Sequence, residues 1–153
     1  MDEGIVQCDS HTLQEDLVFT ELSRESKLIA FYNDVVPRDG HSFVAKMCFP
    51  NELSDIPENK VAELRPDLRK ASKGCKFCFH YGGQPITAAT NLGIPIETAE
   101  KVYVNYFNSF PGIKAYFEKV QKEAKERGYI LISELTGHKV FSYKWDEYLE
   151  RSK

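Results

Sequence analysis

The sequence predicts a mainly α fold, α+β only in that a short strand opens it and a β-hairpin stands near its C-terminal end. Three observations predict this. Pro66, Pro85, Pro95 and Pro111 stand where helices begin, and Gly82, Gly93 and Gly128 stand where they stop. Between these marks apolar residues recur at helical spacing. The β-rich runs are confined to "GIVQCD" (Gly4 to Asp9) and "YILISELTGHKVFSY" (Tyr129 to Tyr143).

In chain order, "GIVQCD" reads as a strand ending on an acid, and "LQEDLVFTELS" places Leu13, Leu17 and Phe19 to Leu22 at near-helical spacing. Ser23 to Asp34 forms a second helix with Ser23 as the favoured N-cap and Ser26 as the other choice, its apolar run Leu28 to Tyr32 facing inward. Asp39 to Phe49 forms a third, begun by Asp39 or Ser42 and closed by Pro50. A polar loop then runs through Asn59, followed by a short turn at Lys60 to Leu64. From Pro66 a long helix extends over 67–82, with Gly82 and Gly83 ending it. Shorter helices follow Pro85 to Leu92 and Pro95 to Phe110, and an amphipathic one runs from Pro111 to Gly128. The hairpin turns at Glu134 to Gly137. A lone strand cannot satisfy its own edges, so this plan points to a segment of a larger protein or to a partner that completes a sheet.

At 153 residues, 42% hydrophobic and 28% charged, the chain has the balance of one globular domain rather than of a disordered segment. Its formal net charge of -3 supplies no general attraction for polyanions, so any phosphate binding must come from a local cluster. The start, with two acids and an apolar core of only Ile5 and Val6, is unlike a signal peptide, and nothing later is long and apolar enough to cross a membrane. Four cysteines, Cys8, Cys48, Cys75 and Cys78, without a secretory leader suit free thiols in a reducing compartment, and the expected location is cytoplasmic.

The stretch "KGCKFCFHYGGQ" first suggests a metal or redox site. A structural zinc site needs four ligands, and Cys75 and Cys78 have no second close pair; a redox dithiol sits at a helix start, whereas these lie in mid-helix. Buried small hydrophobes are the simpler reading. Stepping by four through the same helix gives Arg69, Lys73, Phe77 and Tyr81, then Gly82. Each step turns about 40°, so the four form one winding stripe roughly 18 Å long. An anion on the two cations with a planar group on the two rings would suit it, as in a nucleoside triphosphate. A solvated cationic turn followed by two core aromatics would show the same spacing.

Arg-x3-Lys-x3-Phe-x3-Tyr-Gly resembles motif B, the fingers O-helix, of family A (DNA polymerase I-like) DNA polymerases. Downstream, Asn91 to Ile130 is similar to the family's following fingers and palm-linking helices; upstream, "IVQCDSHTLQEDLVFTELSRESKL" resembles motif A and "DGHSFVAKMCF" its Asp-x-His segment. The resemblance covers Gly4 to Phe141 and implies a helical fingers subdomain (23–128) with a short palm strand before it (4–22) and a hairpin and tail after it (129–153). It implies that Asp9 binds the two catalytic Mg2+ ions and, with Lys73, is catalytic. It further implies that Arg69, Lys73, Phe77 and His41 bind the incoming dNTP, and that Tyr81, Gly82 and Gly83 meet the template DNA.

Two departures matter. Five residues after Asp9, where the family's sugar-discriminating glutamate falls, stands Gln14; Glu15 takes the role only with one residue inserted. The second metal-binding acid, on motif C, has no counterpart, because no His-Asp pair occurs in the chain. The expectation is therefore a piece of a DNA polymerase, phage-like in its divergent motif A. It would be inactive without the remaining palm and thumb and would act on primer-template DNA and dNTP when complete. A non-catalytic nucleotide- or DNA-binding module, or a single-subunit RNA polymerase relative, are the alternatives; Phe77 speaks against the last.

Overall fold

The computed structural model describes residues 14–133 and 135–141. The expected strand Gly4 to Asp9, with Cys8 and Asp9, and the tail after Phe141 lie outside the described residues. Within them the order is α1 (Gln14–Ser23), α2 (Ser26–Tyr32), α3 (Gly40–Cys48), a 3-10 turn (Glu58–Lys60), α4 (Val61–Leu64), α5 (Pro66–His80), α6 (Pro85–Leu92), α7 (Ile96–Ser109), α8 (Pro111–Arg127), β1 (Tyr129–Ser133) and β2 (His138–Phe141). The fold is mainly α, as the sequence predicts.

Helices α3, α5, α6 and α7 pack on one another around Val44, Ala45, Cys48, Cys75, Phe79, Ala88, Ala99, Val102 and Tyr106, all buried. Three of these are alanines, and small side chains let the helix backbones approach closely while Phe79 and Tyr106 fill the centre. Proline opens α5, α6 and α8, where its missing N–H costs no hydrogen bond. Gly128 closes α8 with φ 72°, a left-handed conformation in which a side chain would be strained. The hairpin follows directly, antiparallel, pairing Tyr129 with Phe141 and Leu131 with Lys139, and slipping register between Leu131 and Ser133.

One expectation at the N-terminal side is corrected. Ser23 does not cap the second helix: it ends α1, its hydroxyl donating back to the Thr20 carbonyl at 3.4 Å, and Arg24 turns the chain at φ 51°. The cap is Glu25, whose Oε1 accepts from Lys27 N at 3.1 Å while Oε2 accepts from Gly112 N at 2.7 Å. One buried carboxylate thus serves the N-termini of α2 and α8, complementing both helix dipoles. A Cβ on Gly112 would lie 2.8 Å from Glu25 Oε2 and 3.0 Å from its Cα, so glycine makes this approach possible.

Helix α1 forms where the near-helical spacing of Leu17 to Leu22 places it, but it does not bury its leucines. Leu17, Val18 and Leu22 are exposed, while Asp16, Thr20 and Ser23 are buried. The helix turns its polar residues inward because Asp16 has partners there, and Phe19 goes inward with them to stack on His80 at 4.2 Å.

Candidate functional site

Helix α5 carries the predicted stripe. Arg65 forks onto Asp67 at its start, through Nε at 3.0 Å and Nη2 at 2.8 Å. At its end Gly82 N donates to Phe79 O and Gly83 N to Cys78 O, both at 2.9 Å, the paired bonds of a Schellman cap. Gly82 takes φ 79°. The helix is thus Pro66–His80 with Tyr81 as its C-cap, two residues shorter than the expected 67–82 at the C-terminal side. A cleft of about 280 Å³ opens beside this end, between Gly82 and Gly83 on one side and Tyr103, Phe107 and Phe117 on the other.

The N-terminal end of α3 meets the stripe. Asp39 caps α3, accepting from His41 N at 3.1 Å and from Ser42 Oγ at 2.6 Å. The same carboxylate takes a fork from Arg69, Nε at 2.7 Å and Nη2 at 3.0 Å. Partial burial opposes ionisation of Asp39, but the hydrogen bonds from Arg69 and Ser42 and the guanidinium charge prevail and hold it far below the ordinary carboxylate range. Arg69 is therefore pinned in place, with Nη1 taking no part in the fork and able to face a second anion.

Two residues along α3, the His41 ring stands edge-on to Phe77, centroids 6.2 Å apart. Burial, and then the cations Lys76, Lys73 and Arg69, lower the His41 pKa to about 4, so its imidazole is neutral. Its buried Nδ1 has no hydrogen-bond partner among the described residues. Lys73 Nζ lies 5.9 Å from the Phe77 centroid. Tyr81 is exposed at the end of the stripe. Arg69, Lys73, His41 and Phe77 are thus brought together; Asp9 lies outside the described residues, and Glu15 lies in α1 with its side chain outside them. Among the described residues no three His, Cys, Asp or Glu side chains converge, so these residues do not by themselves fit a metal.

Sequence reasoning missed a buried polar cluster behind the stripe. Lys76 Nζ donates to Asp16 Oδ2 at 2.5 Å, both side chains almost wholly buried, and Tyr32 Oη donates to the same oxygen at 3.3 Å. His80 shares a 2.6 Å hydrogen bond with Tyr106 Oη, and its Nδ1 stands 4.0 Å from Asp16 Oδ1. Burial, reinforced by Lys76 and opposed by Asp16, lowers the His80 pKa to about 4. The sequence signal was a lysine and a histidine inside the apolar run Cys75 to Phe79 and its end. The cysteines behave as expected of small hydrophobes: Cys48 and Cys75 are buried and Cys78 half-buried, all free, and burial pushes the Cys75 thiol up to about 11.

The arrangement defines a helical platform that offers an anion a pinned guanidinium and an ammonium, and a planar group an aromatic ring. The family model for DNA polymerase family A matches residues 5–146. The chain is 34% identical over 119 residues to the DNA polymerase of Mycobacterium phage D29, covering 77% of this chain and 18% of that one. It is 32% identical over 113 residues to the thermostable DNA polymerase I of Thermus aquaticus, covering 74% of this chain and 12% of that one. Among solved structures it resembles the POL domain of Pol1 from M. smegmatis, in complex with DNA primer-template and dNTP, with TM-score 0.69 and 27% identity over 92% of this chain and 24% of that one. The chain belongs to DNA polymerase family A. It spans less than a fifth of the curated relatives just named.

Proposed function

We propose that this chain is the fingers part of a template-directed DNA polymerase, a nucleotidyltransferase that joins a dNTP to a primer 3′-hydroxyl, and that it supplies the helix gripping the nucleotide. The observation that carries the reading is the convergence of Arg69, Lys73, His41 and Phe77 on one side of α5 and the start of α3. Arg69 and Lys73 hold the triphosphate, Arg69 with the part of its fork that Asp39 leaves open. The neutral His41 turns its unpartnered Nδ1 to the same anion when that nitrogen carries the proton. Phe77 packs on the sugar and base. Lys73 then stays beside the phosphates as charge develops in transfer, which is its catalytic part.

Tyr81 faces the template base, and Gly82 and Gly83 let the end of α5 pivot into the space that the neighbouring cleft leaves. Primer-template DNA and dNTP as partners are supported by the M. smegmatis neighbour, which was solved with both. Asp9 and Glu15 keep the metal-binding and sugar-discriminating roles that the family resemblance implies. Mg2+, held with the remaining palm, supplies charge neutralisation of the phosphates; the described residues of this chain bind and orient. No helix among the described residues is long and apolar enough to cross a membrane, and free thiols suit a cytoplasmic setting.

Two measurements test the reading. Titration of the 153-residue chain with dATP and magnesium should show binding that Arg69→Ala weakens about tenfold, the worth of one charge-assisted phosphate contact. Unchanged affinity in that variant would refute the assigned grip. Primer extension by the isolated chain should give no template-directed product, and any such product would refute inactivity alone.

A further inference from the structure

We infer that Lys76 is a positioning residue for Phe77, and that through Asp16 it ties the ring facing the nucleotide to helix α1. The inference rests on the proposed role of Phe77. Lys76 Nζ does two things at once: it donates to Asp16 Oδ2 at 2.5 Å and sits 4.8 Å from the centroid of the Phe77 ring. An ammonium has three donors and no preferred fork, so it can serve a carboxylate on one side and a π-face on the other.

Its place in the fold gives the contact its use. The Lys76 and Asp16 side chains are 3% and 5% exposed, so the ammonium is held from behind by a carboxylate that Tyr32 Oη also fixes. Phe77 by contrast is only half-buried, and a half-buried ring on a helix has more than one staggered rotamer open to it. Lys73 reaches the same ring from 5.9 Å, but it is not buried and answers to whatever anion it meets. Lys76 is the cation that cannot leave.

A buried pair of this kind adds little stability over two apolar residues of similar size, so its value lies in the geometry it imposes. Asp16 stands in α1, two residues after Gln14, where the segment carrying Asp9 enters the described fold. The pair therefore registers the nucleotide-packing ring against helix α1. Phe19 stacking on His80 at 4.2 Å makes a second tie between the same two helices.

The ring can be read directly, by fluorine NMR of the chain carrying 4-fluorophenylalanine at position 77. One resonance is expected in the native sequence. Lys76→Met and Asp16→Asn should each displace and broaden it, while Lys70→Met, on the exposed side of the same helix, leaves it in place. An unmoved line in the Lys76 variant overturns the inference whether or not nucleotide binds. With dATP and magnesium as the probe, Lys76→Met should weaken binding about fivefold when Phe77 is present and less than twofold in a Phe77→Ala background. Equal loss in both backgrounds would mark a merely structural role and also overturn it, whereas Lys76→Arg should restore affinity to within about twofold. If the single variants unfold, Asp16→Leu with Lys76→Met removes both charges together, and the same displacement of the line is expected. A displaced line with no dATP binding by the native chain would sink the nucleotide reading and leave the positioning of the ring established.

Discussion

Replacing His80 by a residue that cannot titrate tests how this buried cluster sets the acid limit of the fold. His80 is stacked on Phe19 and bonded to Tyr106 Oη, its side chain 5% exposed, so solvent does not screen it. Its pKa falls from the ordinary 6.5 to about 4, first because burial penalises the imidazolium and then because Lys76 repels it. The sign follows from which state takes the proton. The unfolded chain protonates His80 near 6.5 and the folded chain only near 4, so the stabilisation is whole above 6.5 and is lost as the pH falls through that window. At 1.36 kcal/mol per pH unit of difference, the loss is about 3 kcal/mol. Urea unfolding followed from neutral pH to about pH 4 should therefore show His80→Gln losing about 3 kcal/mol less than the native chain over this span. His41, with its pKa also lowered to about 4, contributes the same trend to both proteins and cancels in the comparison. Parallel pH profiles, or His80 ring protons titrating at the ordinary histidine value by NMR, would refute the reasoning.

Two further outcomes follow from single residues. Glu25→Ala strips the N-termini of α2 and α8 of one buried acceptor each, and should lower unfolding free energy by about 2–3 kcal/mol with the urea slope unchanged; a change within about 0.5 kcal/mol would show that the double cap is not formed. Peptide-mapped alkylation of the native chain at neutral pH should modify Cys78 ahead of Cys75 and Cys75 ahead of Cys48, following their burial and raised thiol pKa values. Alkylation of Cys48 as fast as in urea would contradict the packed core around it.

What the sequence reveals of this fold is what proline and glycine can mark. Helices α5, α6 and α8 begin on the prolines expected of them, and α6 and α8 end at Gly93 and Gly128. The start of α2 was misplaced because its cap is a glutamate, a weaker capping residue than serine, whose second partner lies 87 residues away. The stripe on α5 was legible because one helix fixes its spacing. Its partners were less so. The Asp-x-His segment put His41 near the stripe through the family resemblance, but the fork between Asp39 and Arg69 joins residues 30 apart, and the pair of Asp16 and Lys76 joins residues 60 apart. Asp16 follows Gln14 and Glu15 in a polar stretch, and nothing in its spacing marks it as the residue α1 turns inward. A buried charge is invisible to a pattern that assumes charges face water.

The double cap also bears on the order in which the chain can assemble. Glu25 meets Gly112 across 87 residues of chain, a longer loop than those that bring α3, α5, α6 and α7 together. The Glu25 contact thus closes a long loop, a seam where α2 meets the start of α8. Because any side chain at position 112 would strike Glu25, the seam closes in a single register. Synthesis of the chain from its N-terminus leaves Glu25 Oε2 without this partner until Gly112 has emerged, so the double cap is completed only by the arrival of α8.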